Sequence, residues 1–227
     1  MSKVGIILTP DVRSNAYLSK IIDNKIKINE IIFLDDNRKE KKFHTEIIHE
    51  SKKCGFDISK SVNYILNKSN KKITRFNFVD INHPELIKYL KKSDMDFFIF
   101  TGGGILKKDI LNCGKKFVHF HPGIVPLYRG STCFYYSILN DDNCGVTAYI
   151  MDENLDTGKI IYQRIFQKPK HRFVDDVYDA YIRSEAMLDL FSKKLLDNKK
   201  FQKQSSVGDS YYIIHPVLKH IAILSCI

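Results

Sequence analysis

Two short runs carry the side chains best suited to moving a proton. Residues 117–130 read Phe-Val-His-Phe-His-Pro-Gly-Ile-Val-Pro-Leu-Tyr-Arg-Gly and place His119 and His121 at the end of an apolar stretch. Residues 151–160 read Met-Asp-Glu-Asn-Leu-Asp-Thr-Gly-Lys-Ile and are rich in carboxylates. Prolines remove backbone donors and glycines admit positive φ, so neither run continues as regular structure. Each is a polar loop delivered by a strand. On a strand, residues two apart point the same way, so His119 and His121 share a face. An imidazole beside a carboxylate is a proton acceptor and donor in waiting. The carboxylate favours the imidazolium and is expected to raise the histidine pKa toward working pH.

The rest of the chain must position these loops. Continuous apolar runs predict buried strands at 4–8, 30–34, 75–79, 97–100 and 116–120. Further strands are expected at 145–151, 159–166 and 211–214, the last stopped by His215-Pro216. Helical patterns are expected from about Asn15, across 39–67, from His83-Pro84, at 105–111, 131–139 and 174–196. Residues 198–206 read as a polar linker. Strands alternating with helices imply an α/β fold with a mainly parallel, twisted sheet flanked by helices. Ligands of such sheets sit outside the carboxyl ends of the strands. The loops at 101–104, 119–123 and 151–158 all follow strands and are expected to converge on one crevice. Thr101-Gly102-Gly103-Gly104 is not a dinucleotide fingerprint, but three glycines bring backbone close to a ligand or make a tight turn.

Composition bounds the class. At 227 residues and 44% apolar content the chain fits one large domain, or one with a short appendage. No apolar run approaches the roughly 18 residues of a membrane span, and the short apolar start does not read as a signal peptide. Five scattered cysteines, none in a Cys-x-x-Cys pair, suit reduced thiols in a cytoplasm. The net charge of +10 favours anionic ligands, although the lysines are dispersed rather than striped. His44 and His49, five apart, lack the spacing of a helical metal pair and read as surface residues.

The two runs together resemble the signature of the folate-dependent formyltransferases, the family of glycinamide ribonucleotide transformylase, methionyl-tRNA formyltransferase and the sugar N-formyltransferases. His121, Pro122, Gly123, Pro126, Arg129 and Gly130 match its first motif; Gly145, Thr147, Asp156, Gly158 and Ile160 match its second. The matching region is about 97–163. One position departs: His119 stands where the family has Asn. The resemblance implies a Rossmann-like formyltransferase fold, with residues 1–197 as catalytic domain and 198–227 as a short extension. It implies 10-formyltetrahydrofolate as co-substrate.

Site roles follow from the same resemblance. His121 would stabilise the oxyanion and shuttle a proton, Asp156 would orient it, and His119 would replace the polarising amide by a ring N–H. The pterin would meet Thr101, Gly102, Gly103, Gly104, Ile105 and Leu106, and also Asp152, Glu153 and Asn154. The acceptor would meet Pro122, Gly123, Tyr128, Arg129, Gly130 and Thr147. Arg13, Ser14 and Asn15 resemble a phosphate loop with Arg13 in place of its glycine, and a helix N-cap role for Ser14 or Asn15 stands beside that reading.

The expected acceptor is a nucleotide-linked amino sugar. A tRNA-binding barrel would need more chain than follows Leu196, so no nucleic acid and no membrane partner is expected, while a homodimer stays open. The insertion at 38–72 and the altered phosphate loop weigh against a purine enzyme. A non-catalytic folate binder stays open because of His119. So does a metal hydrolase built on the His119-x-His121 pair with Asp156 nearby, although no third strong ligand at matched spacing is evident.

Overall fold

The computed structural model describes residues 1–36, 41–69, 71–198, 200–205 and 208–227. The chain divides into two compact units, Met1–His119 and Phe120–Ile227. The first contains β1 (Val4–Leu8), α1 (Val12–Asp23), β2 (Glu30–Leu34), α2 (Thr45–Lys53), α3 (Val62–Lys68), β3 (Ile73–Phe76), α4 (Pro84–Lys92), β4 (Phe97–Phe100) and α5 (Lys108–Leu111); β5 (Lys116–His121) begins in it and has its last two residues in the second. The second contains β6 (Tyr128–Gly130), α6 (Cys133–Asp141), β7 (Asn143–Ile150), β8 (Ile160–Gln167), α7 (Asp179–Ser192), β9 (Asp209–Tyr211) and α8 (Pro216–Leu224). Strand order is β3-β2-β1-β4-β5-β7-β8 in one mixed sheet and β6-β9 in a small pair. This is the expected α/β, Rossmann-like sheet flanked by helices.

In the first unit β3, β2, β1, β4 and β5 pair in parallel. Parallel strands covered on both faces need continuous apolar runs. Val-Gly-Ile-Ile-Leu in β1 and Phe-Phe-Ile-Phe in β4 are buried at every position. Gly5 is required by packing: a Cβ there would lie 2.4 Å from the Phe98 ring. Helix α1 starts earlier than its apolar period suggests, because Asp11 is the N-cap and accepts from the Ser14 N–H at 2.7 Å. His83 caps α4 from in front of Pro84, as its start signal predicts. The polar 39–67 stretch resolves into α2 and α3; residues 38–40 and 70 of the insertion lie outside the described residues. The helix expected at 105–111 shrinks to α5.

In the second unit β7 and β8 are antiparallel, with an irregularity at Ala148/Tyr149. A π-helical turn, Val174–Tyr178, leads into α7. Strand β6 lies inside what reads as irregular loop, and it pairs in parallel with β9 some 80 residues later in the register Tyr128↔Asp209, Arg129↔Ser210, Gly130↔Tyr211. The last strand therefore sits slightly before the expected 211–214. His215-Pro216 does not merely stop it: His215 caps α8 and Pro216 opens that helix. Among the described residues no helix is long and apolar enough to cross a membrane.

Candidate active site

The expected site residues fall in both units. In the second unit, β5 ends in His121 and β7 is followed by the loop that carries Asp156. His121 is 2% exposed. Its Nδ1 lies 3.3 Å from Asp156 Oδ2 and its Nε2 lies 2.8 Å from the Tyr128 carbonyl. Asp156 is fixed from two further directions: the Gly130 N–H donates to Oδ2 and the Tyr149 hydroxyl to Oδ1, each at 2.7 Å. The aspartate takes a left-handed backbone, φ +54°, which Asp tolerates better than most residues. Two glycines let this arrangement close. A Cβ on Gly158 would lie 1.7 Å from the Ile150 carbonyl oxygen, and one on Gly123 would lie 2.8 Å from His121 Nε2.

Proton placement in this pair is constrained. The Tyr128 carbonyl only accepts, so it requires an N–H at Nε2. A neutral ring then turns a bare Nδ1 toward the Asp156 carboxylate. Both contacts are satisfied together only when one proton lies between ring and carboxyl. Burial works against the charged ring, with Asp156 opposing and the Arg183 guanidinium assisting. The net effect holds the His121 pKa below its ordinary value, the reverse of the direction expected from the carboxylate alone. Because the unfolded chain protonates His121 near the ordinary 6.5 and the folded chain only at lower pH, the unfolded state binds more protons in that window. Stability is therefore expected to fall as pH drops below about 6.5. Thermal midpoints taken from about pH 8 to about pH 5 should show the decline, and His121→Gln should flatten it. An equal slope in both proteins would assign the acid sensitivity elsewhere.

The remaining residues of this unit build the walls. Thr147, fully buried, donates to the Gly123 carbonyl at 2.7 Å and accepts from Val125 N–H at 3.2 Å, so it shapes the turn after Pro122, itself buried. Gln163 joins it by donating to the Val125 carbonyl at 2.7 Å. The Tyr128 hydroxyl donates to Asp141, and burial together with that carboxylate pushes its pKa up to about 12. Arg129 is buried and directs its guanidinium to Gln204 and the Ser205 carbonyl. Gln204 in turn donates to the carbonyls of Asp156 and Gly158 at 2.9 and 2.7 Å. Gly130 has φ +104° and faces the Tyr211 carbonyl too closely for any Cβ. Asp152, Glu153 and Asn154 are exposed; Asp152 Oδ1 accepts from Asn154 N–H and the Thr157 hydroxyl, which sets the turn.

Sequence reasoning missed Arg183. It is 6% exposed, donates from Nε to Asp179 at 2.7 Å, and donates from Nη1 to the Phe120 carbonyl on β5. The available signal was an Asp-Arg pair at i, i+4 on an otherwise apolar helix face.

In the first unit, Ser14 and Asn15 are buried and committed inward. Ser14 Oγ accepts from Thr9 N–H at 3.0 Å and lies 2.6 Å from Thr101 Oγ1, which itself donates to the Ile7 carbonyl. Asn15 donates to the carbonyls of Asp57 and Lys60. Arg13 is half-buried, with Nη2 3.7 Å from Asp11. After β4, Gly102 is buried, Gly103 and Gly104 are exposed, and Gly104 has φ +115° with open space where a Cβ would be. Asn82, which sequence reading passed over, holds this hinge by donating to the Ile105 carbonyl and accepting from the Lys107 N–H. Ile105 is exposed and Leu106 buried. His119 is half-buried, with Nδ1 3.4 Å from the Phe100 carbonyl.

The family description "Formyl transferase" matches residues 30–187. The chain belongs to the formyl transferase family. Its relatives include the methionyl-tRNA formyltransferase of Finegoldia magna, 30% identical over 125 residues, which are 54% of this chain and 40% of that protein. The methionyl-tRNA formyltransferase of Nitratiruptor sp. is 34% identical over 161 residues, 70% of this chain and 48% of that one. The chain thus spans about half the length of these curated relatives or less. Among solved structures, an N-formyltransferase from Helicobacter canadensis in complex with folinic acid and dTDP-3-aminofucose superposes with a TM-score of 0.63 at 18% identity, covering 100% of this chain and 81% of that one. The formyl transferase match includes both histidine and carboxylate loops.

Proposed function

We propose that the protein transfers a formyl group from 10-formyltetrahydrofolate to the amino group of a nucleotide-linked amino sugar. The observation that carries the reading is the buried His121–Asp156 pair, with a carboxylate held by three donors or partners and an imidazole between it and a backbone carbonyl. In the reaction the amine nitrogen bonds to the formyl carbon, a tetrahedral oxyanion forms, and the folate nitrogen leaves with a proton. Turned from Tyr128, the His121 Nε2–H gives its proton to the leaving nitrogen, and the bared Nε2 then takes one from the attacking nitrogen, cationic once bonded to the formyl carbon, so that the pair with Asp156 ends as it began. A positioned proton transfer of this kind contributes roughly 10²–10⁴ in rate.

His121 reaches an oxyanion only by turning its Nε2–H from the Tyr128 carbonyl to the substrate oxygen. His119 takes the family's Asn position, where an imidazole N–H serves as a donor. The exposed backbone of Gly103 and Gly104, braced by Asn82, suits a flat heterocycle that seeks main-chain hydrogen bonds. The amino-sugar acceptor is supported by the nucleotide-sugar and folinic acid ligands named for the Helicobacter canadensis enzyme. A second reading, the amine of a charged tRNA, is favoured by the curated relatives, which are methionyl-tRNA formyltransferases.

The test is to supply 10-formyltetrahydrofolate with a panel of nucleotide-linked amino sugars, glycinamide ribonucleotide and methionyl-tRNA, and to follow tetrahydrofolate release. Turnover with an amino sugar alone supports the first reading; turnover with tRNA alone replaces it; none with any amine removes both. In the same assay His119→Asn, which restores the family amide, is expected to keep or raise the rate. Complete loss would give the imidazole a role of its own.

A further inference from the structure

Beside the turn that joins β1 to α1 lies a cavity of about 510 Å³ that formyl transfer leaves without a role. It sits outside the carboxyl ends of two adjacent parallel strands, β1 and β2, where ligands of such sheets are held. Its volume falls within the range of small-molecule sites, roughly 300–1,000 Å³. The whole cavity is built from the first unit, so it is complete without the carboxylate loop.

We infer that this cavity is a nucleoside monophosphate site. Three features divide the ligand among its walls. Phe33, Phe43, Ile58 and Val62 supply apolar and aromatic surface for a base. Asp35 follows the last residue of β2 directly. In nucleotide-binding α/β folds an acidic group near this place accepts hydrogen bonds from the ribose hydroxyls. Lys41 and Lys60 stand at the rim as exposed cations, Lys41 over the Phe43 ring and Lys60 in an exposed ion pair with Asp57 at 3.6 Å, a contact weak enough for a phosphate to replace.

The same walls say what is refused. The first turn of α1 would ordinarily attract an anion, but here Asp11 occupies it, accepting from Ser14 N–H and from the Thr9 hydroxyl at 2.8 Å. The turn itself is Thr9-Pro10-Asp11, without a glycine for close approach and without an N–H at Pro10. A pyrophosphate cannot settle there as it does in a dinucleotide fold, so the phosphate is left to the lysines. The pocket is also braced rather than incidental. Buried Asn15 donates to the carbonyls of Asp57 and Lys60, and Ser61 caps α3 by accepting from Tyr64 N–H, which together hold the 57–62 wall against α1. That explains the fate of Asn15: its amide shapes a neighbouring cavity instead of meeting a phosphate.

The assignment stands apart from the proposed reaction and is tested by binding alone. Calorimetric titration of the full chain with UMP, CMP, AMP and GMP should give saturable binding of at least one. The matching 2′-deoxynucleotide and the Asp35→Ala protein should each bind about tenfold more weakly or worse, the expected loss for a hydrogen bond to a charged group. Lys60→Ala should weaken the monophosphate more than the free nucleoside. His121→Gln should leave the affinity unchanged. No binding of any of the four overturns the inference, as does equal affinity for ribose and deoxyribose forms. Equal affinity of the Asp35→Ala protein, its fold checked by circular dichroism, overturns it too.

Discussion

Asp156→Asn is expected to slow formyl transfer by about 10²-fold while leaving the protein folded. The carboxylate accepts on both oxygens, from Gly130 N–H and His121 at one and from Tyr149 at the other. An amide has one accepting oxygen and one NH₂ group. Turned one way, the NH₂ opposes the Gly130 N–H; turned the other, it donates to the Tyr149 hydroxyl oxygen, whose own proton then loses its acceptor on residue 156. One contact is therefore lost, at about 1–3 kcal/mol, and the proton shared with His121 loses its carboxylate home. Turnover measured under saturating donor and acceptor, beside a thermal unfolding curve, separates the two effects. A rate within about threefold of wild type, less than any positioned proton transfer supplies, would mean that the carboxylate only holds the loop.

Arg183→Met carries the largest expected loss of stability, about 3–5 kcal/mol, because it strands the Asp179 carboxylate with little solvent around it. The two side chains are 7% and 13% exposed and meet at 2.7 Å. The change also removes a donor from the Phe120 carbonyl. Urea unfolding midpoints give the loss. Adding Asp179→Asn in the same protein should recover part of it, since the uncompensated charge disappears. A single-variant loss under about 1 kcal/mol would show that water reaches the pair and that its worth is that of a surface bridge. The guanidinium also opposes protonation of His121, so the Met variant should raise the histidine pKa, readable from ring proton shifts against pH.

Much of the frame was legible because local pattern and tertiary environment agree. The ends of β1, β2 and β4 match their apolar runs residue for residue, since a strand buried on both faces admits nothing else. The histidine and carboxylate loops were legible from their residues; that His121 and Asp156 form the pair followed from the family resemblance, and they meet. What escaped depends on partners far along the chain. Tyr-Arg-Gly is a strand only because Asp209–Tyr211 lies beside it. Arg129 looked available to a ligand, yet Gln204 and Ser205 already claim it. The pKa direction at His121 escaped for a different reason: a neighbouring carboxylate is visible in sequence, whereas the depth of burial that outweighs it is not. Helix α8 was hidden by His215-Pro216, a pair that stops a strand and starts a helix equally well.

The Gln204 amide has a consequence for anyone handling this protein. It clasps the main chain on either side of Thr157 and is itself gripped by Arg129. A version trimmed ahead of that glutamine would keep every residue of the two signature motifs and still loosen the loop bearing the acid group, which loses two main-chain contacts. Protease nicking near 204 should accordingly silence turnover before it dissolves the sheet.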